Sequence, residues 1–546
     1  MPALPGTRPL ILELDLVDPP VDPPAGDAVA RLTTRGRRPL RPTLRALHEA
    51  AADRRVVGLV ARVGGSLSWT TAQELRAGVA AFAGSGKPAL AWAETFGDGS
   101  HDLAAYMLAS AFPQIWLQPS GGLGLLGVSV ETTFLRGTLD KLGVEPELEQ
   151  RYEYKNAVDR VSRTELTPAH RESLERLSGS IFDHALADVA HGRRMTVEHV
   201  RDLVESGPRT AAEARDARLV DHLGYRDQAY AALRERVPAD AELLFADRWK
   251  PRPGLPALPG RRRGHVALVE VRGEIVSGHS RRGPRGRQVG ADSVAAGLRA
   301  AAQDDAARAV LLRVDSPGGS AVASDTIWHE VVRVREAGKP VVVSMGQAAA
   351  SGGYFVACPA DVIVALPATL TGSIGVFGGK FVVAGLLERA GLSTGVVEQG
   401  SRSRMYSARR PFTADERERL AAIVDGIYAD FVAKVVTGRQ MAPASVEAVA
   451  RGRVWSGADA AEVGLVDVLG GLRDAVRIAR ERAQLPEDAP VRPAGHVPPL
   501  ARLGRPRNSE DPRARLGTVL PGLDDLAAAF GLPAGSELRM PPLTLR

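Results

Sequence analysis

The chain repeats itself, and that repeat limits its fold more than any other feature. Asp53-Arg54-Arg55-Val56-Val57-Gly58-Leu59-Val60-Ala61-Arg62-Val63 is echoed by Asp305-Ala306-Ala307-Arg308-Ala309-Val310-Leu311-Leu312-Arg313-Val314. Gly86-Lys87-Pro88 returns as Gly338-Lys339-Pro340, and Leu219-Val220-Asp221 as Leu465-Val466-Asp467. Long segments recurring at nearly constant spacing mean two copies of one domain rather than a short-period solenoid. Within each copy, strand and helix patterns alternate. In the second, strands are expected at Val266–Val271, Ala309–Val314, Pro340–Ser344 and Asp361–Leu366, with helices over Asp292–Ala302 and from about Ser324 to Glu336. Such alternation predicts an α/β fold with a parallel sheet and crossover helices. Late in each copy a long helix is expected, one from Thr167 with Leu174, Leu177, Ile181 and Ala185 on its apolar face. Its counterpart starts at Thr413 and shows Leu420, Ile423, Ile427, Phe431 and Val435.

The repeat divides the chain into a first domain over residues 1–250, a Pro/Arg-rich linker over 251–263, a second domain over 264–485 and a Pro/Arg-rich tail over 486–546. The tail reads as partly ordered, with a short helix at Leu523–Phe530. A second basic stretch, Arg281–Arg287, reads as a solvated mobile loop or, alternatively, as a surface drawn to an anionic membrane. No aromatic residues interleave these arginines, which argues against nucleic acid. The first residues, Met1–Arg8, lack the apolar core of a signal peptide, and the weakly charged region 340–378 is too rich in Gly, Ser and Pro for a membrane span. A single cysteine, Cys358, excludes an intrachain disulfide framework and a cysteine-rich metal site, and it reads as a small buried hydrophobe.

Ser351 is the candidate nucleophile. It stands where the strand pattern Pro340–Met345 passes into Gln347-Ala348-Ala349-Ala350-Ser351-Gly352-Gly353-Tyr354, so its hydroxyl would sit beside free backbone N–H groups at a helix start. The plainer alternative is an N-cap serine. Asp315-Ser316-Pro317-Gly318-Gly319-Ser320, one strand–helix unit earlier, could turn backbone N–H groups inward as an oxyanion site. The base is less plain. His329 lies in a helix pattern and reads as a surface or packing residue. Lysine serves if burial lowers its pKa, but residues 381–433 hold none. The first copy offers Lys155 in Tyr152-Glu153-Tyr154-Lys155-Asn156-Ala157-Val158, whereas aligning Tyr106 with Tyr354 puts Leu103 where Ser351 would be. Each copy thus lacks the half of a dyad that the other supplies. Lys87 and Lys339, in matching Gly-Lys-Pro turns, suggest no special role.

Together, Arg313-Val314-Asp315-Ser316-Pro317-Gly318-Gly319-Ser320, Ala350-Ser351-Gly352-Gly353-Tyr354, Thr371-Gly372-Ser373-Ile374-Gly375-Val376 and Tyr154-Lys155-Asn156-Ala157-Val158 resemble the signal peptide peptidase A family. This is the long duplicated form within peptidase group S49, and the similarity spans roughly residues 8 to 485. The resemblance implies a tandem duplication of a crotonase/ClpP-like α/β superfold domain and a serine–lysine dyad across the duplication. Ser351 would be the nucleophile, Lys155 the general base and Ser373 the serine that hydrogen-bonds the lysine, with Gly318 or Gly319 and Gly352 forming the oxyanion hole. It further implies a homotetrameric bowl that digests signal peptides without ATP, metal or organic cofactor. Many members carry an N-terminal membrane anchor and none is read here, so a cytoplasmic location is expected, or a peripheral one at the inner face of the membrane.

Three other readings fit parts of the sequence. A crotonase-like coenzyme A thioester enzyme would use the same backbone oxyanion site with carboxylates as acid and base. A duplicated non-catalytic scaffold would hold partners at a membrane surface. A Ser-His-Asp triad would recruit His329 or His101.

Overall fold

The computed structural model describes residues 8–21, 37–97, 102–251, 264–283, 286–494 and 537–539. The proposed helix at Leu523–Phe530, the linker from residue 252 onward and His101 lie outside these. The chain forms two compact units, one of residues 1–129 and 178–261, the other of residues 130–177 and 262–544. Residues 130–177 precede the second half in sequence and yet pack as part of it.

The duplication is visible strand by strand. The first unit has a parallel sheet in the order His222–Leu223, Ile115–Leu117, Ala89–Ala93, Val56–Arg62, Leu10–Asp15, Glu242–Phe245. The second unit repeats that path as Val468–Leu469, Val362–Ala365, Val341–Ala350, Ala307–Ser316, His265–Arg272, Val491–Pro493. Val491–Pro493 falls in the stretch that composition assigns to the tail. As the outermost strand it needs few partners and tolerates its proline.

Side chains along a strand alternate faces, and a parallel sheet covered by helices must bury both. In the second unit Val266, Leu268, Ala309, Leu311, Val342, Val362 and Val364 pack with Ala475, Ile478 and Ala479 of the helix Leu472–Arg482. The alternate residues Ala267, Val269, Val310, Leu312, Val341 and Val343 join the larger core on the other face. That core includes the helices Ala291–Gln303, Ala321–Glu336 and Ala414–Arg439.

Paired local contacts recur in both units. Tyr106 Oη donates to Leu219 O at 2.6 Å and Tyr354 Oη to Leu465 O at 2.9 Å. Asp221 accepts from Ile115 N and Asp467 from Ile363 N, each at 2.7 Å. The two Gly-Lys-Pro lysines prove to be structural. Lys87 Nζ donates to the Asp53 carbonyl and Lys339 Nζ to the Asp304 carbonyl, both at 2.8 Å. A cation beside carbonyls left free where a preceding helix ends is favourable.

Several local expectations shift. Strand Val341–Ala350 runs on through the small residues and ends immediately before Ser351. Helix Ala321–Glu336 starts early because Ser320 caps it, accepting from Ala323 N, while Ser324 Oγ donates to Ser320 O. Helix Ala414–Arg439 starts where predicted, on a capping box of Thr413 and Glu416. Its buried face runs through Leu420, Val424, Tyr428, Phe431 and Val435, so Ile423 and Ile427 sit at the margin. The basic stretch is not a plain loop: Arg281–Gly283 pairs antiparallel with Gly286–Gly290, residues 284–285 lying outside the described set.

A second sheet in this unit has the order Arg281–Gly283, Gly286–Gly290, Glu274–Val276, Gly318–Ser320, Glu537–Arg539, Val376–Val382, Glu145–Arg151. No helix among the described residues is long and apolar enough to cross a membrane.

Candidate active site

Each functional side chain is aimed by the end of a strand. Val341-Val342-Val343 favours a buried strand, and its last residues pair with Leu370–Gly372, Ala350 opposite Gly372. The chain then reverses at Ser351, with φ 56° and ψ −116°, directly into the helix Gly352–Ala357. A non-glycine residue held at positive φ costs about 1–3 kcal/mol and persists only where its surroundings fix it. Here Ser351 N donates to Gly372 O and Phe355 N to Ser351 O, both at 2.8 Å. The side chain makes no N-cap hydrogen bond, which removes the plainer reading of this serine. The two following glycines are required by crowding: a Cβ on Gly352 would come within 2.6 Å of Ser324 Oγ, and one on Gly353 within 2.7 Å of Ser316 O.

Lys155 reaches the same point from Glu145–Arg151, which pairs antiparallel with Val376–Val382, Arg151 opposite Val376. A turn closed by Lys155 N donating to Tyr152 O directs the side chain inward. Its Nζ lies 2.7 Å from Ser351 Oγ and 3.0 Å from both Ser373 Oγ and Ser373 O. Ser373 follows the strand Leu370–Gly372 at φ 52° and is held by its N–H on Arg453 O at 2.7 Å.

Lys155, Ser351 and Ser373 are all 0% exposed. Among the described residues no carboxylate makes an ion pair with Lys155, and burial drives its pKa well below that of a free amine. The arrangement thus sets an amine whose protonated form burial disfavours against a hydroxyl, both of them shielded from the surface.

The glycine segment lies beside it. A Cβ on Gly352 would stand 3.2 Å from both Gly318 Cα and Gly319 N. Gly318 N–H already donates to Ser316 Oγ at 3.2 Å within its own turn. Gly318 and Gly319 hold φ of 108° and 152°, which favour glycine.

The other candidates separate from this group. His329 is exposed on the helix Ala321–Glu336, whereas Ser351 is buried. Cys358 is buried, its thiol pKa pushed up to about 12 by desolvation, so it is an inert packing group. In the first unit, matching Tyr106 to Tyr354 leaves buried Leu103 in the nucleophile's place.

Gly452 escaped the sequence reading. At φ 88°, its Cα abuts Lys155, and a Cβ there would lie 2.5 Å from Lys155 N. Only the chain-distant packing reveals this, because Arg451-Gly452-Arg453 carries no motif of its own.

Comparison with known proteins identifies the family. A family model described as Peptidase family S49 matches residues 81–240 and 333–486, one region in each half. The chloroplastic serine protease SPPA of Arabidopsis thaliana is 31% identical over 485 residues, covering 87% of this chain and 69% of its own length. Protease 4 of Salmonella typhi is 33% identical over 459 residues, covering 81% and 71%. Protease 4 of Haemophilus influenzae is 30% identical over 469 residues, covering 82% and 73%. A ClpP1 variant of Listeria monocytogenes aligns over 38% of this chain and 94% of its own at 14% identity and a TM-score of 0.25, too low to bear on the fold. With both halves matched and most of the chain shared with these proteases, the chain belongs to peptidase family S49 in its long duplicated form and is a serine peptidase.

Proposed function

We propose that the chain is an ATP-independent endopeptidase in which Ser351 and Lys155 form the catalytic dyad, acting on cleaved signal peptides and other short or unfolded peptides. The observation that carries the reading is the 2.7 Å contact between Lys155 Nζ and Ser351 Oγ, with the amine wholly buried and without a carboxylate partner among the described residues. A neutral amine has a lone pair with which to accept the serine proton, which a protonated lysine lacks.

In the forward reaction Lys155 takes the proton from Ser351 Oγ as the oxygen attacks the peptide carbonyl. The resulting oxyanion is held by the N–H groups of Gly319 and Gly352. Gly352 opens a helix, where N–H groups have no intrahelical acceptor, whereas the N–H of Gly318 is engaged with Ser316. Lys155 returns the proton to the leaving amine, the acyl group stays on Ser351, and water activated by the same amine releases it. Ser373 keeps the amine aimed at Ser351 through its side-chain oxygen and its carbonyl.

The signal-peptide preference follows the resemblance to signal peptide peptidase A, as does assembly into a homotetramer. Self-association is further supported by the exposure of Leu392, Val397 and Tyr406 in one segment. Hydrolysis of a quenched fluorescent signal-peptide sequence without ATP tests the reading. Turnover by the wild type and none by Ser351→Ala is expected, and equal turnover by both would refute it.

A further inference from the structure

The second sheet of the catalytic unit contains a strand that does not belong to the duplicated domain. Glu537–Arg539 lies between Gly318–Ser320 and Val376–Val382, antiparallel to both. Gly318 is opposite Arg539, Gly319 opposite Leu538 and Ser320 opposite Glu537, while Phe377 faces Glu537 from the other side. The helix Gly352–Ala357, which begins immediately after the nucleophile, packs on this strand.

We infer that Glu537–Arg539 occupies the slot that receives an extended peptide substrate, so that the chain's own tail competes for its active site; the inference rests on the peptidase reading above. Strands in a sheet are about 4.8 Å apart, so two strands separated by one occupant are about 9.6 Å apart, room for a single extended chain. Without the tail strand, the edges of Gly318–Ser320 and Val376–Val382 would face each other unpaired across that gap. An unpaired edge is the feature to which an extended peptide adds. One wall of the slot is the glycine segment assigned to the oxyanion, so a peptide paired there has its carbonyls beside the glycines and its backbone near Ser351. With the tail strand in place, Ser351 is 0% exposed, a state in which no external peptide reaches it.

Because the competitor is tethered, its effective concentration does not depend on dilution. A tethered segment has an effective concentration of about 1 mM, so a tail that binds the slot as a peptide substrate does, with a dissociation constant of about 100 μM, raises the apparent KM roughly tenfold and leaves kcat unchanged.

The test uses the full chain. Leu538→Pro places a proline in a strand paired on both sides, which such a strand does not accept. Two measurements are made: hydrolysis of a fluorogenic peptide by the wild type and Leu538→Pro, and amide hydrogen exchange at Gly318–Ser320 and Val376–Val382 with and without Leu538→Pro in a Ser351→Ala background. The expected result is a KM about tenfold lower at unchanged kcat, by the arithmetic above, together with faster exchange at both walls. A synthetic peptide spanning Glu537–Arg539 and its neighbours should restore slow exchange to Leu538→Pro. Unchanged exchange at both walls overturns the inference, as does an unchanged KM with active enzyme. If neither form cleaves any peptide, the peptidase reading fails, and the exchange measurement still decides whether the tail fills the slot.

Discussion

Gly452 makes the room that Lys155 occupies: a Cβ at 452 would stand 2.5 Å from Lys155 N and 2.7 Å from Lys155 Cβ. The atoms it would strike include backbone, which cannot swing aside, and the 88° φ already disfavours a side chain. Gly452→Ala should therefore displace the lysine loop, cost about 1–3 kcal/mol of stability and reduce kcat/KM by more than tenfold. Denaturant unfolding and peptide hydrolysis read the two effects; a variant of full activity would show that Lys155 does not depend on this approach.

The buried amine makes a prediction about pH. Its folded-state pKa lies well below the ordinary 10.5, so between those values the unfolded chain holds a proton that the native state lacks. Stability should accordingly rise with pH across that window, and the penalty of burying the lysine is greatest below the lowered pKa. Activity follows the same proton: kcat/KM should climb with pH along a single-proton limb and level off once Lys155 is neutral. Lys155→Arg should be inactive throughout, with a loss of about 10²–10⁴-fold, because a guanidinium does not give up its proton in a protein. An acid limb that persists in a residually active Lys155→Arg would assign the titration to another group.

In the proposed mechanism Ser373 acts as a positioning residue. Its Oγ and carbonyl oxygen each lie 3.0 Å from Lys155 Nζ, so Ser373→Ala removes one of two anchors. One hydrogen bond is worth about 1 kcal/mol, and kcat should fall about fivefold with KM unchanged. A change in KM alone would place Ser373 in substrate binding instead.

The matched tyrosines separate stability from chemistry. Tyr106→Phe and Tyr354→Phe each strip a buried Leu carbonyl of its donor, at a cost of about 1–3 kcal/mol. Thermal unfolding should register both, whereas only Tyr354→Phe, three residues beyond the nucleophile, should lower peptidase activity. An equal loss from Tyr106→Phe would contradict a site confined to the second unit.

Much of this was legible in the chain. Val266–Val271, Ala309–Val314 and Pro340–Ser344 are valine-containing, mostly apolar runs, and Thr413 with Glu416 writes a helix start into four positions. The motifs around Ser351, Lys155 and Ser373 single out a lysine and the two serines whose Oγ atoms the fold brings within 3.0 Å of its Nζ. What stayed hidden depends on distant packing. Glu145–Arg151 has five charged or amide side chains and only Glu147 of its residues is well buried, so it carries no apolar strand pattern, and it becomes a strand by pairing with Val376–Val382. Gly452 is one glycine among 57 until Lys155 lies against it. Glu537–Arg539 carries no strand signal in a proline- and arginine-rich tail, and its conformation comes from the two edges that receive it.

The most direct measurement is the rate at which a fluorophosphonate modifies the protein as a function of pH, with the site read by peptide mass spectrometry. Modification of Ser351 alone is predicted in the wild type, faster as pH rises through the lowered pKa of Lys155, and slower by about 10²–10⁴-fold in Lys155→Ala. An adduct on a different serine, or a Lys155→Ala variant labelled as fast as the wild type, would contradict a nucleophile activated by this lysine.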